Sequence, residues 1–269
     1  MNIAFYNGAS GLKAYQHGIN AVAHNIANVN SYGYKADKAE FRDLMYTRMD
    51  VNPNYNGTRE AGTELMNGHG VQLFGLDLQY TQGSFHNTGH PLDFAIAGEG
   101  LFAVNRRDRI EYTRNGDFDI SVEPDGNYLV AADGAYVLDA DYQRIQILYR
   151  DEYGPNGELT PTEEIDFDAI AERLGVFSFD NPFGLQKLDG QNFLPTDISG
   201  QPFPAFAIGE DGRVVRQYEI YTTSLERSNV SLSQEMSDLI VDQKAYQFSA
   251  RVVSVADELE QVVNSLRRS

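Results

Sequence analysis

Cysteine is absent from this chain, and so is tryptophan. Without a thiol there is no disulfide framework, no thiolate metal site and no cysteine nucleophile. The gap leaves the compartment open, and it suits a protein that passes between redox environments without a bridge to form. Basic charge is scarce. Lys and Arg number 21 against 39 Asp and Glu, a formal net charge of −18. So acidic a chain is a poor match for nucleic acid or for anionic membrane surfaces, both of which call for basic patches. The one basic cluster in mid-chain, Arg106, Arg107 and Arg109, is interrupted by Asp108 and followed by Glu111. No apolar run reaches bilayer-spanning length, so direct membrane insertion is not expected. The opening residues, Met1-Asn2-Ile3-Ala4-Phe5-Tyr6, lack the basic stretch and apolar core of a secretory signal. Taken alone, these features make the cytoplasm the default expectation.

What is present begins with size. The 269 residues, 42% of them apolar, suffice for a sizeable core. The two ends of the chain are patterned differently from its middle. Phe5, Leu12, Ile19 and Ile26 recur every seven residues, and Tyr15, Val22 and Val29 form a second seven-residue series beside them. Together they draw the seam of a coiled-coil helix. Gly8, Gly11 and Gly18 interrupt it, each weakening intrinsic helicity by up to ~1 kcal/mol relative to Ala. The helix is therefore expected to need a partner. Asn28, Asn30, Ser31 and Gly33 supply its stop.

The C-terminal stretch mirrors this. Residues 230–266 contain neither Gly nor Pro. Leu225, Leu232, Leu239, Tyr246 and Val253 keep a seven-residue spacing, with Met236, Gln243 and Ala250 in the alternate positions. Val255, Leu259, Val262 and Leu266 continue in a shifted register, which gives the helix more than one apolar face. Ser228 or Asn229 is the expected N-cap, and Arg267 and Arg268 suit the negative end of the helix dipole.

Between the ends the pattern is β. Phe94-Ala95-Ile96-Ala97 and Leu101-Phe102-Ala103-Val104 flank Gly98-Glu99-Gly100. Asn115-Gly116, Asp125-Gly126 and Asp133-Gly134 follow at a spacing that suits antiparallel meanders, and Asp211-Gly212 marks a further turn. Gly154-Pro155-Asn156-Gly157 reads as a loop in an acidic stretch, and Asp166 to Leu174 as one short helix. The expected class is α+β, with long N- and C-terminal helices pairing in a coiled-coil-like bundle around an inserted, mainly antiparallel β domain. The expected division is 1–35 plus 225–269 for helical assembly, 36–75 as an extended linker containing Pro53, and 76–224 as the β-rich domain.

A search for reactive chemistry finds little. Gly98-x-Gly100 leads into a strand, whereas a phosphate-binding turn leads into a helix, so a hairpin turn is expected there. His17, His24, His69, His86 and His90 do not have the spacing of a zinc site, and Asp117-Phe118-Asp119 does not fit a calcium loop. The paired Glu163 and Glu164 have no partner base or nucleophile in view. No catalytic residue, metal or cofactor is expected. The many Tyr and Phe residues alternate within β runs, which points to core packing.

Three segments nevertheless form an ordered pattern. The first is Ala23-His24-Asn25-Ile26-Ala27-Asn28-Val29-Asn30-Ser31-Tyr32-Gly33-Tyr34-Lys35. The second runs from Thr81-Gln82-Gly83-Ser84-Phe85 through Thr88 to Phe102 and on to Tyr112-Thr113-Arg114-Asn115-Gly116-Asp117-Phe118. The third is Leu225-Glu226-Arg227-Ser228-Asn229-Val230, with Gln243-Lys244-Ala245-Tyr246 and Ala256-Asp257-Glu258-Leu259. These resemble the flagellar hook–basal body rod protein family over nearly the whole chain. A fourth stretch, Phe179-Asp180-Asn181-Pro182-Phe183-Gly184-Leu185 with Asn192-Phe193 and Ser199-Gly200-Gln201-Pro202, resembles rod proteins more than the longer hook protein. Arg216 to Ser224 departs from the short Gln-Gly turn more usual in the family.

The resemblance implies a non-enzymatic structural subunit of the basal-body rod. Such a subunit leaves the cell through the flagellar type III export apparatus and joins copies of itself and other axial proteins, rod and hook, in a torque-transmitting tube. The implied assembly surface is Phe5, Leu12, Tyr15, Ile19, Val22, Ile26 and Val29 on the first helix and Leu232, Met236, Leu239, Tyr246, Val253, Leu259, Val262 and Leu266 on the last. A related hook subunit and a soluble β-rich binding module are the alternatives, and the second would not need heptad seams at both ends.

Overall fold

In the computed structural model, residues 3–48, 66–107, 109–147, 149–153, 159–165, 167–188, 191–208, 214–216 and 218–268 are described. Pro53, the Gly154–Gly157 loop and the Asp211-Gly212 turn lie outside them. The α-helices are α1 (Ile3–Ala27), α2 (Phe167–Arg173) and α3 (Leu232–Arg268). The chain divides into two compact units, Met1–Ala27 with Asp37–Leu78 and Ser231–Ser269, and Asn28–Ala36 with Gln79–Val230.

The first unit is built on the pairing of α1 with α3. Along α1 the buried positions are Gly8, Gly11, Ala14, Gly18, Ala21 and Asn25. A β-carbon on Gly8 would stand 2.7 Å from the Val253 side chain and 3.1 Å from the Ser249 carbonyl. One on Gly18 would stand 2.7 Å from the Asp242 carboxylate. The glycines that weaken the isolated helix thus let α3 approach closely. The larger seam residues flank this stripe. Among the described residues four strands complete the unit: β1 (Asp37–Asp43), β2 (Tyr46–Arg48), β3 (Met66–Gly68) and β4 (Val71–Leu78). β1 pairs with β4 and β2 with β3, both antiparallel, so the described part of segment 36–75 is largely strand. The Tyr15 ring lies 5.6 Å from that of Phe41 on β1. Asn25 ties the end of α1 to the start of β1, donating to the Asp37 carbonyl and accepting from its N–H.

The helix α3 starts later than the expected cap at Ser228 or Asn229. Ser231 precedes its first turn and its carbonyl accepts the Glu235 N–H at 3.0 Å. Asn229 does other work: its Oδ1 accepts the Ala36 N–H and its Nδ2 donates to the Gln79 and Thr81 carbonyls. An amide committed to three backbone groups cannot also cap a helix.

The second unit is antiparallel β. Its strands in chain order are β5 (Phe85–Asn87), β6 (Phe94–Gly98), β7 (Leu101–Arg106), β8 (Arg109–Thr113), β9 (Phe118–Glu123), β10 (Gly126–Ala131) and β11 (Tyr136–Val137). After β12 (Tyr149–Tyr153) and β13 (Leu159–Ile165) come β14 (Val176–Ser178), β15 (Gln186–Lys187), β16 (Asn192–Leu194) and β17 (Phe203–Pro204). Last are β18 (Phe206–Ile208), β19 (Val214–Arg216), β20 (Tyr218–Thr222) and β21 (Ser224–Glu226). The main sheet runs β15-β16-β8-β7-β11-β10-β9, with β14 also on β7 and β17 on β14. Separate ladders join β20 to β6 and β21 to β5.

The core of this unit gathers Phe94, Ile96, Phe102, Val104, Phe118, Leu129, Val137 and Ile145, with Ile170 and Leu174 supplied by α2 and the residue after it. The aromatic residues of the β runs serve as packing, as their alternation predicts. The Gly98-Glu99-Gly100 segment is a corner, not the expected hairpin turn. β6 pairs with β20, while β7 pairs with β8, β11 and β14, so the two strands it joins belong to different ladders. Gly98 and Gly100 have φ of +109° and +145°, values that favour glycine.

Candidate functional site: a buried charge cluster and an apolar helix surface

The three recurring segments of the sequence converge on one buried cluster in the β unit. After α1 the chain turns at Asn28–Ser31, where the Ser31 N–H meets the Asn28 carbonyl at 3.1 Å. Gly33, at φ +69°, then donates its N–H to the Glu226 carbonyl at 2.8 Å. A β-carbon there would stand 2.5 Å from the Asn115 nitrogen, so only glycine fits. This brings Lys35 beside β21. Its Nζ lies 2.8 Å from Glu226 Oε1 and donates to the Thr81 carbonyl at 2.9 Å. Arg114, just past β8, places Nε 2.5 Å from Glu226 Oε2. Its remaining N–H groups reach the carbonyls of Gly100, Ile96 and Gly98 at 2.5, 2.7 and 2.7 Å. Glu226 also accepts the Gly83 N–H at 2.8 Å.

Lys35, Arg114 and Glu226 are each about 2% exposed. Burial alone would raise the Glu226 pKa, but Arg114 and Lys35, by charge and by the hydrogen bonds they donate, hold it below the usual carboxylate range. Burial lowers Lys35, against the pull of Glu226. Tyr80, whose ring centroid lies 5.5 Å from the Lys35 ammonium, is pushed up by burial to about 12. The Gly98-Glu99-Gly100 corner therefore offers carbonyls to a guanidinium, the opposite polarity to a phosphate-binding turn, which offers N–H groups.

In this cluster the polar atoms are spent on one another and on backbone, so it fixes the fold and leaves no group for chemistry on a substrate. Sequence reasoning quoted Lys35, Arg114 and Glu226 within motifs but did not pair them. A second polar group surrounds Asp93: Thr88 Oγ1 donates to it and His90 Nδ1 lies 3.4 Å away. Nearby Asp117 has its pKa raised, first by burial and then by the Asp93 charge. No set of three or more metal-ligating side chains is gathered among the described residues.

The terminal helices present a different surface. Of the residues expected to mediate assembly, Leu12, Tyr15, Ile19, Val22 and Ile26 are half-buried along α1, and Phe5 is 42% exposed. Val29 lies in the turn beyond α1 and belongs to the β unit. On α3, Leu239 and Val253 are half-buried. Leu232, Met236, Tyr246, Leu259, Val262 and Leu266 are exposed. Ile240, Val241, Phe248, Val252, Val255 and Val263 are exposed as well, although only Val255 falls in the seven-residue registers followed in the sequence. So many exposed apolar side chains on one helix mark an interaction surface.

Comparison with known proteins fits this arrangement. Residues 5–35 match the family described as flagella basal body rod protein, residues 95–166 the flagellar hook protein FlgE/F/G D1 domain, and residues 221–266 the flagellar basal body rod FlgEFG protein C-terminal family. Among similar proteins, the flagellar basal-body rod protein FlgG of Agrobacterium fabrum is 34% identical, covering 95% of this chain and 96% of its own. That of Borreliella burgdorferi is 31% identical, covering 98% of each. The hook-basal body complex protein FlhP of Bacillus subtilis is 29% identical, over 95% of this chain and 96% of its own.

Proposed function

We propose, for a chain that belongs to the flagellar basal-body rod protein family, that α1 and α3 are the surface through which it polymerises. It is a structural subunit of the rod, located in the basal body of the flagellum. It joins further copies of itself and the adjoining axial proteins, passes through the flagellar export apparatus on its way, and carries torque from motor to hook without catalysing a reaction. The assembly surface comprises the exposed apolar residues of α3 together with Phe5 and its neighbours on α1.

The observation that carries this reading is the exposed apolar length of α3. Leu259, Val262 and Leu266 are 58%, 55% and 71% exposed. Covering each such side chain stabilises an assembly by about 1.5–3 kcal/mol when burial is complete. A net charge of −18 per subunit works against this, so assembly is expected to strengthen with salt. The non-enzymatic part of the proposal is supported by the buried cluster, whose charged groups are consumed within the fold.

The test is Leu259→Asp with Val262→Asp in the full-length chain. Both positions are more than half exposed, so the circular dichroism and melting of the subunit should match wild type. Polymer measured by sedimentation and electron microscopy should be lost. Wild-type polymer yield from this variant would remove α3 from the assembly surface.

A further inference from the structure

Two ladders of the β unit run end to end and share one corner. β20 pairs with β6 as far as Thr222 and Phe94, and β21 pairs with β5 from Ser224 and Asn87 onward. Residues 88–93 therefore stand opposite the single residue Thr223. Thr223 has φ +56°, in the left-handed region, and is the one β-branched residue there among the described residues. A side chain branched at the β-carbon is especially disfavoured in that conformation. The corner is held from across the ladder. The Thr223 carbonyl accepts the N–H groups of Thr88 at 2.9 Å and Gly89 at 3.3 Å, and the Ser224 N–H reaches the Asp93 carbonyl at 3.3 Å.

The two sides of the corner are anchored differently. Before it, Tyr218 and Ile220 of β20 pack on the apolar core. After it, Leu225 is buried but lies outside that cluster. Polar contacts tie residues 224–230 to two segments, 33–36 and 79–84. Glu226 binds Lys35 and Gly83 through its carboxylate and the Gly33 N–H through its carbonyl, each at 2.8 Å. The Arg227 N–H meets the Ser84 carbonyl at 2.8 Å. The Asn229 amide holds Ala36, Gln79 and Thr81.

Backbone strain persists only where the surroundings over-determine it, and it gathers in switch elements. A segment outside the main core, held by polar contacts, is also the kind that opens sub-globally. We propose that Ser224–Val230 is a strap that closes over segments 33–36 and 79–84 and opens without unfolding the sheet. Two effects oppose each other in it. The contacts of Glu226 and Asn229 draw the strap closed. Thr223, which regains an extended conformation on release, drives it open. Opening frees the run 224–230 ahead of α3, up to about 24 Å of chain when extended. The connection leading to α3 thus has two lengths, short with the strap closed and long with it open.

Native-state hydrogen exchange on the dilute full-length subunit tests this. The N–H groups of Gly33, Gly83, Ser224 and Arg227 all report on the strap, and that of Leu129, bonded to the Ile145 carbonyl, reports on the core. The strap group should exchange together and at least about tenfold faster than Leu129. Thr223→Gly keeps the left-handed corner and removes its strain, so it should slow the strap group about tenfold and leave Leu129 unchanged. Asn229→Ala removes a clamp and should speed the strap group about tenfold, again with Leu129 unchanged. Strap amides that exchange in step with Leu129 overturn the proposal. So does a Thr223→Gly strap that opens as fast as wild type or faster. Both readouts come from the single subunit, so either result leaves the assembly reading untouched.

Discussion

Replacing Glu226 with glutamine tests the charge cluster at its centre. The substitution keeps the shape and the ability to accept the Gly83 N–H, and removes the charge that both Lys35 and Arg114 face at 2.8 and 2.5 Å. Breaking a buried pair by removing one partner costs about 3–5 kcal/mol, because a charge is left in low dielectric without compensation. Here two cations are left, although Arg114 keeps its three carbonyl partners. Against a total stability of about 5–15 kcal/mol the loss is large. At roughly 2–4 °C per kcal/mol for a domain of this size, the melting point should drop by about 10 °C.

The pH dependence supplies a stricter check. In wild type the Glu226 pKa is depressed, so the stability it contributes is present above the unfolded carboxylate pKa and is lost as pH falls through the folded value. In the variant that acid-side loss disappears. Lys35, whose pKa burial already lowers and which no longer has Glu226 to hold it up, sheds its proton more readily. The deficit should therefore narrow as pH rises from 7 toward 10. Thermal melts at pH 5, 7 and 9.5 decide the matter. A variant that melts within about 2 °C of wild type at pH 7, or a deficit that widens in base, would refute the assignment of the cluster as a charge-balanced lock.

Other outcomes follow from the same geometry. Gly33→Ala adds left-handed strain and a backbone clash at Asn115, and should cost at least about 2 kcal/mol in chemical denaturation. Gly8→Val should overpack the Val253 and Ser249 contact by about 1–3 kcal/mol, seen as faster hydrogen exchange in α1 and α3 with the β unit unaffected. In the same helix pair, Glu235 and Asp242 have raised pKa values, first through burial. Their folded forms hold protons longer, so the stability they lend is full in acid and lost as pH rises through their folded values. Exchange protection of α1, corrected for intrinsic rate, should be greater at pH 5 than at pH 7. Asp242→Asn should flatten that difference.

The sequence made much of this legible. Seven-residue spacing located both terminal helices, because a helix buried along one side must repeat its pattern. The Gly- and Asn-rich punctuation located the β meander, because left-handed turns admit few residues. The close stripe on α1 was harder to read. Gly8, Gly11 and Gly18 look like helix weakness until a partner helix is present to use the missing side chains. The cap of α3 was misplaced because Asn229 is a good cap by type but is taken by Ala36, Gln79 and Thr81. The Gly98 corner was misread because local pattern does not reveal which strands pair. The charge cluster was invisible for the same reason: nothing local tells Lys35 that its partner is 191 residues away.

That distance has a bearing on timing. During synthesis, Lys35 and Arg114 emerge long before Glu226 does. Until it does, the two cations stay hydrated, since burying them unpaired is prohibitive. Closing a loop of 191 residues carries an entropy cost of about 5 kcal/mol, and such non-local closure is slow. The β unit thus cannot lock until the third of its three segments has been made, and the early part of the polypeptide lacks that lock until then.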